Sequence, residues 1–69
     1  MPPVIRIALV PHDYGLGEVV LRAYECLRIA GIVPVGYATG KQPWIALKAN
    51  NREKAYAALS AGGFDFKEL

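Results

Sequence analysis

The stretch IVPVGYATGKQPWIALKA, residues 32–49, decides how this chain folds. It contains two short apolar runs, Ile32 to Ala38 and Trp44 to Ala49, separated by the turn sequence TGKQP. So few residues join the runs that a β-hairpin is the simplest connection between two strands. Pro34 has no backbone N–H to donate, which places the first of these strands at an edge of the sheet.

Upstream of the hairpin, the sequence predicts one strand and one helix. Val4 to Val10, VIRIALV, is short, rich in β-branched residues and bounded by prolines, which is typical of a strand. From Leu16 to Ala30, apolar residues recur every three or four positions, and this spacing predicts a helix with one buried face. Gly31 follows at the left-handed position that commonly ends a helix.

Downstream of the hairpin, the sequence predicts a second helix and a last strand. Asn50, with Glu53 three residues later, resembles a capping box that opens a helix over REKAYAALSA, residues 52–61. Gly62 and Gly63 close this helix. The alternating residues of FDFKEL, 64–69, predict a short strand.

The predicted order, βαββαβ over residues 1–69, is that of one ferredoxin-like α+β domain. Right-handed crossovers place both helices on one face of a four-stranded antiparallel sheet, with the first and third strands in the centre. The predicted core consists of the inward-facing apolar residues Ile5, Ile7, Leu9, Val20, Leu27, Ile45, Leu47 and Leu59.

Composition indicates a small globular domain with apolar surface to spare. The chain has 69 residues, of which 54% are hydrophobic and 20% are charged. A domain of this size buries only about 60% of the surface that its unfolded chain exposes. Oligomerisation is a common remedy for so thin a core, so we expect a homo-oligomer.

Charge and cysteine content exclude several classes of protein. The net charge of +2 is small and the Lys and Arg residues are dispersed, which argues against nucleic-acid and membrane partners. The single cysteine, Cys26, excludes an internal disulfide and a cysteine-rich metal site, and it is predicted to pack as a small hydrophobe. No stretch reaches the ~20 apolar residues of a membrane span, and MPPVIRIALV lacks the features of a signal peptide. We therefore expect a soluble, cytoplasmic protein.

The loop PHDYGLGEVV, residues 11–20, is the best candidate for chemistry, but it lacks an active-site constellation. His12 and Asp13 are adjacent, so their side chains point apart, and no Ser or activated Cys accompanies them. His12 is the only histidine, which argues against a metal site. A dinucleotide fingerprint would need a third glycine where Val20 stands. The sequence thus predicts neither enzyme activity nor a cofactor.

The same loop could nevertheless hold a small anion at the predicted helix start. Free N–H groups from Gly15 to Gly17 would suit a carboxylate. The alternative is that both glycines simply allow a tight turn capped by Asp13.

The whole chain resembles the ACT domain, a small ferredoxin-like module of amino-acid-regulated enzymes. HDYGL, residues 12–16, stands where that family has Asp-Arg-Pro-Gly-Leu, and AGIVP, residues 30–34, stands at its Gly-Ile-Asn-Ile segment. NNREKAYAALSAGGFDF, residues 50–66, is similar to the family's second helix and the Gly-Phe before the last strand. Two positions depart from the pattern, because the leading Asp aligns with His12 and the Asn with Val33.

The resemblance implies an allosteric regulatory module that forms a homodimer or larger assembly, binds an amino acid and acts on a partner enzyme. The effector would lie between two copies of the chain. One copy would contribute the first loop and the other the end of the helix, so the implied ligand-binding residues are His12, Asp13, Tyr14, Gly15 and Leu16 on one wall and Ile32, Val33 and Pro34 on the other.

Two alternatives remain open. A ferredoxin-like RNA-binding module would place aromatic and basic side chains on the open face of the sheet, and the residues available for this are Trp44, Tyr37, Arg6, Lys48 and Lys67. The third strand lacks the Gly-aromatic-Gly-Phe pattern of that module. The second alternative is a dimerisation module without a ligand.

Overall fold

A computed structural model describes residues 3–69 of the chain. Its elements are, in order, β1 (Val4–Val10), α1 (Leu16–Ile29), β2 (Gly36–Ala38), β3 (Trp44–Lys48), α2 (Arg52–Ala61) and β4 (Asp65–Glu68), and a 3₁₀ turn, Ala49–Asn51, precedes α2. The predicted first strand is preceded in the sequence by Pro2 and Pro3, of which Pro2 lies outside the described residues.

The strands form one antiparallel sheet in the order β2-β3-β1-β4. The first and third strands lie in the centre, and the second and fourth form the edges. This confirms the predicted ferredoxin-like α+β fold. Strand alternation sends every second residue toward the helices and the others to the opposite side, which we call the open face.

The core lies between the sheet and the two helices. All eight residues predicted for it are buried, and Ile7, Leu27 and Leu47 have no exposed surface at all. Further buried members of the cluster come from both helices and from the segment after α1, namely Val19, Ala23, Ile32 and Ala55.

Both helices end as predicted, at a glycine in the left-handed region. Gly31 has φ 86° and Gly63 has φ 79°. At the end of α1, the N–H of Gly31 donates to the carbonyl of Arg28 and that of Ile32 donates to Leu27, each at 2.9 Å. This pair of bonds is a Schellman motif, and it turns Ile32 back into the core.

β2 is shorter than the predicted strand from Ile32 to Ala38. The N–H of Ile32 is used at the helix end, and Pro34 has none. Pairing with β3 therefore begins with Val35, whose N–H donates to the carbonyl of Ala46 at 2.8 Å.

The predicted capping box at Asn50 and Glu53 is wrong. Asn50 lies inside the 3₁₀ turn, and α2 follows Asn51, whose side chain makes no capping hydrogen bond. Ala49, predicted to end β3, begins this turn instead, and its N–H donates to the carbonyl of Pro3 at 2.9 Å.

Candidate ligand site at the start of helix α1

The loop between β1 and α1 is a tight turn anchored to β4. The N–H of Tyr14 donates to the carbonyl of Pro11 at 2.8 Å. His12 occupies the left-handed region with φ 50°, a conformation that histidine adopts more readily than most side chains. Its Nε2 is hydrogen-bonded to the carboxylate of Asp65 at the start of β4. His12 is therefore explained by the shape and attachment of the loop.

The two glycines of the loop are not required by the conformation of the chain. Gly15 has φ −66°, and neither it nor Gly17 is in the left-handed region. A Cβ atom at either position would meet no other atom of residues 3–69 within 4 Å. Gly15 is the N-cap of α1, and among residues 3–69 no side chain caps the helix, so the predicted cap by Asp13 is wrong. The tight turn itself is present.

The first turn of α1 presents free backbone donors. The first helical bond runs from the N–H of Val19 to the carbonyl of Gly15, at 3.0 Å. Among residues 3–69, nothing accepts a hydrogen bond from the N–H groups of the three residues before Val19, which are Leu16, Gly17 and Glu18. All three residues are exposed. Together they form the positive end of the helix dipole and face solvent.

An apolar groove begins beside this turn and runs between α1 and the edge strand β2. Its volume is about 380 Å³, and it is lined by Gly17, Val20, Leu21, Tyr24, Tyr37 and Thr39. The rings of Tyr24 and Tyr37 meet edge to face, with centroids 6.2 Å apart. None of the lining side chains carries a charge. We call this space the α1–β2 groove.

The sequence patterns did not single out most of the residues that line the α1–β2 groove. Gly17, Leu21 and Tyr24 follow one another at helical spacing, which was a usable signal. Tyr37 was instead expected on the open face, and that expectation is wrong. It pairs with Ile45, whose side chain is in the core, so Tyr37 lies on the side of the helices.

The two predicted walls of the ligand site lie at opposite ends of α1. The helix has 14 residues and is therefore about 21 Å long. At its start, all five predicted residues, His12 to Leu16, are exposed. At its end, Ile32 and Pro34 are buried and only Val33 is exposed, with 67% of its surface accessible. A single chain does not bring the two walls together.

Side-chain charges near the helix start are largely paired. Arg22 Nε donates to Glu18 Oε2 at 3.0 Å, and this bond raises the pKa of the Arg22 guanidinium. The guanidinium also lies 5.2 Å from the centre of the Tyr14 ring. Recognition of an anion here would rest chiefly on backbone N–H groups.

A second polar cluster lies between α2 and β4. Arg52 makes two hydrogen bonds to the Glu68 carboxylate, at 2.8 and 3.2 Å, and the Tyr56 hydroxyl donates a third at 2.6 Å. The bonds from Tyr56 and Arg52 lower the pKa of Glu68. This cluster joins a helix to the sheet and leaves no group available for chemistry.

The remaining candidate residues carry no site. Cys26 is partly buried and its Sγ donates to the carbonyl of Ala58 at 3.3 Å, as expected of a packed thiol. Within residues 3–69 there is no group of three potential metal-ligating side chains. In the same range no helix is long and apolar enough to cross a membrane.

Comparison of the chain with family models, curated protein sequences and solved structures finds no match.

Proposed function

We propose that this chain is a regulatory module of the ACT type that oligomerises and binds an amino acid at the start of α1. The observation that carries the proposal is the pair Gly15 and Gly17. Neither glycine is required by backbone conformation or by packing. Gly17 lines the α1–β2 groove, and Gly15 stands two residues before it as the N-cap of α1. Glycine at such a position allows another molecule to approach the main chain closely.

The two parts of an amino acid fit the two parts of this site. The carboxylate accepts hydrogen bonds from the free N–H groups at Leu16 and Gly17, where the helix dipole adds about 0.3–1 kcal/mol at an exposed position. The side chain enters the groove and covers apolar surface of Leu21 and Tyr37, both of which are exposed in the single chain. Each Å² of apolar surface removed from water contributes about 25 cal/mol.

A second copy of the chain completes the site in this proposal. The groove is open to solvent along the edge strand β2, and no carboxylate lines it to meet the ammonium group of the ligand. A neighbouring copy would exclude water, which strengthens hydrogen bonds to the carboxylate. Val33 is the exposed residue of the second wall that such a copy can present.

A thermal-shift screen of the twenty amino acids at millimolar concentration tests the proposal. A ligand that binds only the folded protein, at 100 times its Kd, stabilises it by about 2.7 kcal/mol. We expect at least one amino acid to raise the melting temperature of a sample shown by light scattering to be oligomeric. If none does so in such a sample, the ligand-free dimerisation module is the better account.

A matched pair of variants locates the site. Gly17→Val adds a side chain at the mouth of the groove, and Gly40→Val makes the same change at another exposed glycine with no atom near its Cβ position. We expect the first variant to lose the ligand-induced shift and the second to keep it. A shift that persists in Gly17→Val contradicts the assignment of the site.

A further inference from the structure

The open face of the sheet gathers basic residues that are far apart in the sequence. Arg6 of β1 pairs with Ala46, Lys48 of β3 pairs with Val4, and Lys67 of β4 pairs with Ala8. Paired residues share a face, so the three cations lie on the same side of the sheet, away from both helices. All three are exposed. Strand alternation predicted this open-face position for all three, and the register of the sheet agrees with it.

The open face carries the whole net charge of the protein. The helices and the helix-facing side of the sheet hold four basic residues and four carboxylates, which cancel; these are Arg22, Arg28, Arg52, Lys54, Glu18, Glu25, Glu53 and Glu68. In the loops, Lys41 balances Asp13. The open face has three basic residues and one carboxylate, Asp65, so the net charge of +2 belongs to it.

The three cations form a row across the neighbouring strands β3, β1 and β4. Arg6 lies on the middle strand, diagonally between Lys48 and Lys67. Diagonal neighbours are about 7–8 Å apart, so the row spans about 15 Å. Within the described residues no carboxylate lies within ion-pair distance of any of the three, and Asp65 is bonded to His12 instead. The row is therefore available to an external anion.

The ring of Trp44 and a part of the sheet that carries only small side chains lie next to this row. Trp44 pairs with Ala8, and the Arg6 guanidinium lies 5.6 Å from the centre of its ring. The positions between the cations are occupied by alanine, Ala8 and Ala46, and the neighbouring part of β2 contributes only Gly36 and Ala38. A flat ligand can thus reach both the indole and the charged groups.

We propose that the open face binds single-stranded nucleic acid, with phosphates along Lys48, Arg6 and Lys67 and a base stacked at Trp44. Single strands combine evenly spaced negative charges with flat aromatic bases, and basic surfaces that carry an aromatic ring bind them in this way. A second copy of the chain fits less well, because two open faces of the same charge would repel each other. This surface lies on the side of the sheet opposite to the α1–β2 groove, and the inference does not depend on the proposed function.

Trp44 is the only tryptophan, so its fluorescence reports on this face directly. Dodecamers of oligo(U) and oligo(dT) would be titrated into the full chain at several salt concentrations, with an oligo(dT)·oligo(dA) duplex as comparison. We expect quenching by both single strands and a slope of log K against log salt of about −2, as three phosphate contacts predict. A duplex that binds as tightly as the single strands would overturn the proposal.

Two triple variants with the same change in charge separate this face from general electrostatics. Arg6→Gln, Lys48→Gln, Lys67→Gln removes the row, and Arg28→Gln, Lys41→Gln, Lys54→Gln removes three exposed cations elsewhere. Anisotropy of labelled oligo(U) should show that the first triple weakens binding at least about tenfold and brings the salt slope near zero, since each phosphate contact contributes to that slope. The second triple should bind nearly as wild type.

Besides tight duplex binding, three further results would contradict the proposal. These are equal losses in both triples while circular dichroism shows both folded, saturable anisotropy without any change in Trp44 fluorescence, and quenching by phosphatidylserine vesicles but not by either oligonucleotide. A preference for oligo(U) over oligo(dT), or the reverse, would support the proposal and define which single strand the face favours.

Discussion

The two ends of helix α1 differ in how their backbone polar groups are satisfied. At the C-terminal end, Gly31 has φ 86°, its N–H and that of Ile32 are bonded to helix carbonyls, and Ile32 is fully buried. At the N-terminal end, Gly15 and Gly17 have ordinary backbone conformations. Among the described residues no side chain caps the helix there, and the first-turn N–H groups face solvent. At the C-terminal end, backbone polar groups are satisfied within the chain. At the N-terminal end, the N–H groups remain available to solvent or to a ligand.

Glycine is therefore present at the two ends of α1 for two different reasons. Gly31 is needed because a side chain is strained in the left-handed region. Gly17 meets no such requirement, and in a helix it costs stability relative to alanine. When a residue lowers stability and neither backbone conformation nor packing requires it, a role in binding can explain its presence.

Ile32→Ala should be the most damaging change at either end. The side chain has no exposed surface and belongs to the core, so its truncation should lower the free energy of unfolding by about 2–5 kcal/mol. Urea denaturation followed by circular dichroism measures this loss. Val33→Ala is the matched control, because Val33 is exposed, and it should change stability by less than about 0.5 kcal/mol. Equal effects at the two positions would show that the helix end does not enter the core.

Gly31→Ala should destabilise the fold by a smaller amount. The left-handed conformation costs an L residue about 1–2 kcal/mol. Space is not the cause, because an added Cβ would come no closer than 3.5 Å to another atom, Nζ of Lys54. Gly31→Asn should lose less than Gly31→Ala in the same denaturation experiment, since asparagine tolerates this region better. An unchanged midpoint for Gly31→Ala would argue against the Schellman ending.

Gly17→Ala should raise the stability of the fold, which is the opposite of the effect expected for Gly31→Ala. Alanine in place of glycine stabilises a helix interior by about 0.5–1 kcal/mol, and Gly17 is in the first turn of α1, so we expect a gain near the lower end of this range. Within residues 3–69 the added Cβ would meet no other atom. We expect a higher melting temperature in the absence of ligand, together with a smaller shift on adding whichever amino acid stabilises the wild type. A variant that is destabilised without ligand would mean that Gly17 has a structural role.

The sequence was sufficient to predict the fold because its main signals are local. The alternation in β1 and β3, the apolar spacing of α1 and the glycines after each helix each specify one element. The order of these elements along the chain is compatible with only a few topologies. The predicted strand from Ile32 failed where a helix-end bond competes for the same N–H group. The Asn50 cap failed because the chain inserts a 3₁₀ turn before α2.

The sites were less predictable because they depend on how elements meet. The α1–β2 groove joins Gly17 and Leu21 to Tyr37, and the side on which Tyr37 lies follows from its pairing with Ile45. Strand alternation predicted that Arg6, Lys48 and Lys67 share the open face, whereas their arrangement in a diagonal row depends on the register of β3 and β4 against β1. The loop His12 to Leu16 could be singled out by composition alone, whereas the burial of Ile32 and Pro34 could not.

The most direct test of the open helix start is a ¹⁵N NMR titration of the full chain with the amino acid that gives the largest thermal shift, or with each of the twenty if none does. The amide signals of Leu16, Gly17 and Glu18 report on the proposed carboxylate contact, and those of Gly31, Gly62 and Gly63 report on the closed helix ends. We expect saturable shifts concentrated at the amides of Leu16, Gly17 and Glu18, and little change at Gly31, Gly62 and Gly63. Saturable shifts elsewhere with none at α1's first turn, or no shift with any of the twenty, would contradict the proposed carboxylate contact.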